Sequence, residues 1–355
     1  MFENIMLKST MAAAALAVSA LAVQAETIDA TVVAGHPPVF RWVKHASQTF
    51  IPAVNKALEG TDYTINWDEQ YGGSLAKVGD ELEATEEGLA QIGVISSVFD
   101  PAKLSLQNVS YYTPFVSSDP VLVANTVDAL HRDNPKMLAT WEENDLEYLG
   151  GPSAIDDYLL MTTFPVNSID DLNGKKIGAP GPAVNWLAGT GAVGVSGNLT
   201  TYYNEIKTGV YDGVIVFATA ALPGKLYEVA PYITKVGFGA QYAGALAANK
   251  DWYDEQPEVV QQALKQGGEA FKAAYLADLG AAVEAGLKAM AEQGATITEV
   301  DDAFRQKWAA GMDNVAQTWA KQVDSEGKAG TEILKAYMDA VRAAGGKPVR
   351  DWDQE

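Results

Sequence analysis

From Ile28 to Ala34 the chain runs Ile-Asp-Ala-Thr-Val-Val-Ala, a β-rich stretch, and Gly35-His36-Pro37-Pro38 then breaks it. Apolar residues next recur at Val39, Trp42, Val43, Phe50 and Val54 with helical spacing, so the pattern predicts a strand, a loop and a helix. The same alternation returns as a strand over Tyr63–Tyr71, a helix over Leu75–Glu87 after Gly72-Gly73-Ser74, and a strand over Ile92–Ile95. A second set begins near Gly150, with strands over Tyr158–Thr163 and Lys175–Ala179, a helix carrying Trp186, a helix over Asn198–Thr208 and a strand over Val214–Phe217. Strands alternating with helices imply βαβ units and parallel sheets.

Between Pro257 and Met290 the apolar positions Val260, Leu264, Phe271, Tyr275, Leu279, Val283, Leu287 and Met290 hold helical spacing without a break. Asp278 and Glu284 lie inside that run, which predicts an amphipathic support able to brace both sets of elements and not a membrane span. Later stripes at Phe304, Trp308, Met312, Val315, Trp319 and Val323, and at Ile333, Leu334, Tyr337, Met338 and Val341, predict packed C-terminal helices.

The start of the chain adds a different kind of segment. Lys8, an apolar run from Met11 to Ala22 and the small-residue site Val23-Gln24-Ala25 read as a signal peptide cleaved after Ala25, giving a periplasmic protein. Removing 25 of 355 residues leaves 330, enough for two lobes. The loss of Glu3 and Lys8 leaves the formal charge at −21, which argues against nucleic acid or anionic lipid as a partner and against direct membrane insertion. With no cysteine, disulfides, thiol catalysis, cysteine-ligated metal and a lipid-modified N-terminal cysteine are all excluded.

Few segments carry catalytic chemistry. Gly189-Thr-Gly191-Ala-Val-Gly194 has dinucleotide-fingerprint spacing, but the residues before it read as helix and Val195-Ser196-Gly197 directly after it do not open one, so it reads as a turn from helix to strand. His36, His45 and His131 lack metal-site spacing, and no cofactor is expected. Ser168-Ile-Asp-Asp171 fits a capping box, Gly174 supplies a left-handed stop, and Thr208-Gly209 and Asp212-Gly213 are further turns.

Taken together, the spacing from Asp171-Leu-Asn-Gly-Lys-Lys-Ile177 to Thr208-Gly-Val-Tyr-Asp-Gly213 resembles the solute-binding subunits of tripartite ATP-independent periplasmic (TRAP) transporters, dicarboxylate-receptor (DctP) type. Tyr71-Gly-Gly-Ser-Leu75 and Ala248-Asn-Lys-Asp-Trp252 agree with it, and the likeness runs from about Ile28 to Gly345. The resemblance implies an α/β, two-lobed periplasmic binding protein fold with a long helix bridging the lobes. It divides the chain into residues 26–150 with about 238–280, and 151–237 with about 281–355. It also implies a non-enzymatic receptor that closes on a small organic acid and delivers it to the small and large TRAP membrane subunits.

The chain departs from that family where the ligand would be gripped. Lys-Lys-Ile is followed by Gly178 where the resemblance calls for a carboxylate-binding arginine, Tyr158 stands at a second arginine position, and Val216 replaces an asparagine. A bond from a charged donor to a carboxylate contributes about 1.5–3 kcal/mol, so another cation is needed if the solute is an anion. Arg41, just after the first strand, is the candidate clamp. Phe40, Tyr158, Trp186 and Phe217 are candidates for an apolar, flat-sided pocket, and Ser74, Asn185 and Asn198 for short polar contacts. The expected solute is a monocarboxylate with an apolar or aromatic body. A dicarboxylate, a neutral polar solute, or an exported enzyme using Asp156 and Asp157 remain as alternatives.

Overall fold

The computed structural model describes residues 26–151 and 154–355. The signal-peptide assignment falls on residues 1–25 and so lies outside the described residues. In chain order the strands are β1 (Glu26–Ala34), β2 (Tyr63–Tyr71), β3 (Ile92–Ile95), β4 (Leu146–Gly150), β5 (Ala154–Ile155), β6 (Tyr158–Thr162) and β7 (Lys176–Ala179). They continue with β8 (Val193–Ser196), β9 (Gly213–Phe217), β10 (Tyr232–Lys235), β11 (Gln241–Tyr242), β12 (Ala245–Asn249) and β13 (Thr296–Glu299).

These strands form two main sheets, β2-β1-β3-β12-β4 and β13-β10-β6-β9-β7-β8, and one short ribbon, β11-β5. The βαβ alternation produces parallel pairs β1·β2, β1·β3, β7·β8 and β7·β9. The sheets are nevertheless mixed, because β12 runs antiparallel to both β3 and β4, and β6 antiparallel to β9 and β10. The antiparallel strands are those on which the chain passes from one sheet to the other. It leaves the first sheet after β4 and enters the second at β6, then returns from β10 to β12. Those two crossings pair with each other as the β5·β11 ribbon, Gln241 opposite Ile155 and Tyr242 opposite Ala154.

The third crossing is the helix Glu258–Glu292, which leads from β12 to β13. Its buried positions Val260, Leu264, Phe271, Tyr275, Leu279 and Met290 follow the apolar stripe. Gly267 and Gly268 permit the close approach: a Cβ on Gly268 would stand 2.0 Å from the Leu149 carbonyl oxygen, and one on Gly267 would meet Phe50 and Val54 at 2.5–2.9 Å. Further along, the Gly286 position faces Ala218 of the second lobe at 3.5 Å. Lys272 of this helix also pairs with Asp128, a buried carboxylate that Arg132 shares.

Two predicted helices differ. The segment after Gly72-Gly73 is helical only over Glu81–Glu86, because left-handed Gly72, Gly73 and Gly79 hold residues 72–79 as turns. The Trp186 segment is a 3₁₀ helix, Gly181–Leu187. The capping box at Ser168–Asp171 is present, with left-handed Gly174 after it. Residues after the long helix touch both the 26–150 and the 151–237 stretches. Trp308 donates to the Trp186 carbonyl at 2.7 Å, whereas Trp319 stacks on Tyr112 with centroids 5.3 Å apart and Glu332 meets Lys136 at 2.6 Å.

Candidate solute-binding site

The C-terminal ends of β1 and β3 face those of β7 and β9 across the crevice between the sheets, the position where open α/β folds bind ligands. At the end of β1 the chain turns tightly through Gly35, whose missing side chain lets the Val78 backbone approach and whose N–H donates to Glu81 Oε1 at 3.0 Å. This turn sets the buried His36 into the crevice, its ring edge-on to Phe40 (5.6 Å) and Trp42 (5.3 Å) and tilted against Phe99 (6.2 Å).

Ile95, Ser96 and Val98 complete the first wall. The second sheet contributes Tyr158 from β6, Ile215, Val216 and Phe217 from β9, with Pro180, Asn198 and Leu199 from the turns beside them and Tyr202 from the start of the helix Tyr202–Lys207. Trp42 and Phe217 touch across the crevice with ring centroids 5.8 Å apart. The enclosed cavity measures about 40 Å³, well below the ~150 Å³ that admits benzene.

None of the lining residues is Lys, Arg, Asp or Glu. Neither ring nitrogen of His36 has a hydrogen-bond partner, and burial pulls its pKa down to about 4, so the imidazole is neutral near pH 7. The Tyr202 hydroxyl is also buried without a partner, and burial pushes its pKa well up. Tyr111 and Tyr158 bond hydroxyl to hydroxyl at 2.8 Å, a contact that uses one of their two protons. The Asn198 carboxamide oxygen accepts from the Thr200 N–H at 3.0 Å and hydroxyl at 2.6 Å, and its amide group makes no donated hydrogen bond among the described residues.

Gly178 is accounted for by its neighbour. A Cβ there would lie 2.8–2.9 Å from the Tyr211 ring and 3.2 Å from Val214, so Tyr211 already fills the space that a side chain would take. Tyr211 packs edge-on against Tyr202 at 6.2 Å and so supports the cavity wall.

Of the residues predicted from sequence, Tyr158, Asn198 and Phe217 line the cavity. Phe40 and Trp186 stand one layer behind. Phe40 stacks on Trp42 at 5.0 Å, and Trp186 stacks on Tyr111 at 5.8 Å while donating to the Tyr111 carbonyl at 2.7 Å. Arg41, Ser74 and Asn185 lie outside it. Arg41 pairs with Asp278 of the long helix beside an outer depression lined by Val39, Lys44 and Leu222, and Ser74 and Asn185 are exposed. Sequence reasoning missed His36, Trp42, Tyr111 and Tyr202 as lining residues. The usable signal for His36 was its place directly after a strand end. Among the described residues no group of three or more His, Asp or Glu is arranged to hold a metal.

Residues 41–322 match the family of bacterial extracellular solute-binding proteins, family 7, DctP. The chain belongs to that family. Its fold is that of TRAP periplasmic solute receptors. DctP7 of Bordetella pertussis, an extracytoplasmic receptor binding pyroglutamic acid, is 19% identical with a TM-score of 0.75, over 87% of this chain and 99% of that one. A TRAP receptor from Sulfitobacter sp. NAS-14.1 with bound β-D-galacturonate is 19% identical at TM-score 0.75, covering 88% and 100%. The ectoine-binding protein of the Halomonas elongata TeaABC transporter is 20% identical at TM-score 0.75, covering 89% and 100%. No curated protein sequence matches. TRAP solute receptors are periplasmic, bind small organic ligands and work with membrane permease subunits; family and fold are those of transport proteins. No helix among the described residues is long and apolar enough to cross a membrane.

Proposed function

We propose that this TRAP receptor, exported and cleaved after Ala25, captures a compact solute with an apolar or aromatic body, uncharged when bound, and delivers it to the membrane subunits. The observation that carries this reading is the cavity lining: aromatic and aliphatic side chains from both lobes and no cation. A carboxylate entering here would lose its hydration and meet neutral donors only, with no cation among the lining residues. Protonating His36 at pH 7 against a pKa of about 4 costs on the order of 4 kcal/mol, which outweighs the ~1.5–3 kcal/mol of one charge-assisted bond. Relatives with this fold bind pyroglutamic acid, β-D-galacturonate and ectoine, so the reading rests on the lining of this chain's own cavity.

The monocarboxylate is the second reading. It is favoured by the surplus of donors in the cavity, namely the spare tyrosine proton and the Asn198 amide. A thermal-shift series at pH 7.5 with benzamide, benzyl alcohol, benzoate, succinate and galacturonate separates the two. The neutral ring compounds are expected to raise the melting temperature most. The largest shift from benzoate would establish the second reading, and the largest from succinate or galacturonate would reject both.

A further inference from the structure

Two side chains lining the cavity carry buried polar atoms with no partner at all, and the two lobes supply one each. His36, from the end of β1, leaves both ring nitrogens unbonded. Its neighbours Phe40, Trp42 and Phe99 hold the ring with aromatic faces and edges and make no hydrogen bond to it. Tyr202, from the second lobe, leaves its hydroxyl unbonded. Its ring is set in place by Gly197, where a Cβ would come within 2.7 Å of it, and by the edge of Tyr211. Other unpartnered buried hydroxyls, such as those of Tyr242 and Tyr275, do not line this cavity.

Buried polar groups in folded proteins are nearly always paired, so two orphans sharing one cavity point to a missing partner. The chemistry of that partner follows from the pair. A neutral imidazole offers one N–H donor and one lone-pair acceptor, and a phenol both donates and accepts. A carboxylate only accepts: it can take the imidazole N–H and the phenol O–H but leaves the lone-pair nitrogen unpaired. A primary amide, lactam, alcohol or phenol carries both a donor and an acceptor and can satisfy both side chains. Because the two groups come from different lobes, a head bonded to both draws the lobes together and favours the closed state.

We infer that His36 and Tyr202 are the specificity-determining pair of this receptor, holding between the lobes the donor-and-acceptor head, amide or hydroxyl, of a compact uncharged solute. This inference rests on the cavity being the solute site. Calorimetric titration of benzamide and toluene, which share a ring and differ in the head, tests it on the full mature chain. The native receptor is expected to prefer benzamide by about tenfold or more, as one or two hydrogen bonds would give. His36→Leu and Tyr202→Phe should each remove most of that preference while leaving toluene binding within about threefold, since neither change deletes apolar surface. Retention of the full preference in both variants overturns the pair's role alone. Failure of the native receptor to bind either probe, or of Trp42→Ala to weaken both, overturns it together with the solute-site reading.

Discussion

An unpaired imidazole buried among aromatic rings is a liability in the empty receptor. His36→Leu is therefore expected to stabilise the unliganded protein by about 1–3 kcal/mol, the usual penalty of an unsatisfied buried polar group, read as a higher melting temperature by calorimetry. A lower melting temperature would mean that the ring is satisfied after all. Arg41 gives the contrasting case. With its guanidinium engaged by half-exposed Asp278, Arg41→Ala should leave solute affinity within about threefold, and a loss of tenfold or more would make it the anion clamp. The cavity residues legible in the sequence were Tyr158, Asn198 and Phe217, with Tyr158 and Phe217 at or near positions that the family resemblance assigns to the pocket. Arg41 follows a strand end, but it begins a helix whose turn aims it at Asp278, a partner 237 positions away. His36 differs again: a lone histidine is usually satisfied, and only the assembled cavity leaves it without a partner.

At the level of elements, short turns outweighed apolar spacing. The helix predicted from Leu75 begins only at Glu81, whose buried carboxylate accepts the Gly35 and Gly79 N–H groups at 3.0 and 2.7 Å and so holds the turn that presents His36. Burial pushes this carboxyl up to about 7 from an ordinary value near 4.5. The folded protein then keeps a proton that the unfolded chain gives up between pH 4.5 and 7, and this contribution is lost as pH rises through that window. Glu81→Gln, uncharged throughout, should gain stability relative to the native chain by about 2.5 kcal/mol between pH 5 and pH 8. A stability difference that stays constant with pH contradicts the raised value. His36 and His131, both lowered to about 4, act in the opposite sense, losing stability as pH falls from 6.5 to 4, so the comparison has to be made between variants. The long helix was legible in full from its stripe, but the reason for its glycines was not. Gly268→Ala, whose Cβ would press on the Leu149 carbonyl, should cost about 1–3 kcal/mol in chemical denaturation even though alanine favours helices.

Across the whole molecule, the alternation of strands and helices made the two α/β units readable, while the mixed strand directions were not. Direction is decided by where the chain crosses between sheets, and the crossing strands β6 and β12 look in sequence like any others. The same crossings, paired as the β5·β11 ribbon and backed by the long helix, let the two walls of the cavity meet with Trp42 against Phe217. On the proposed reading, such a receptor holds its solute by apolar contact from both sides and by a few unpaired polar atoms, without a fixed charge. The most direct test is to purify the receptor from cells, denature it, and identify the released small molecule by mass spectrometry. The expected finding is a compact solute with an apolar body and an amide or hydroxyl head; recovery of a dicarboxylate or a uronate would contradict it.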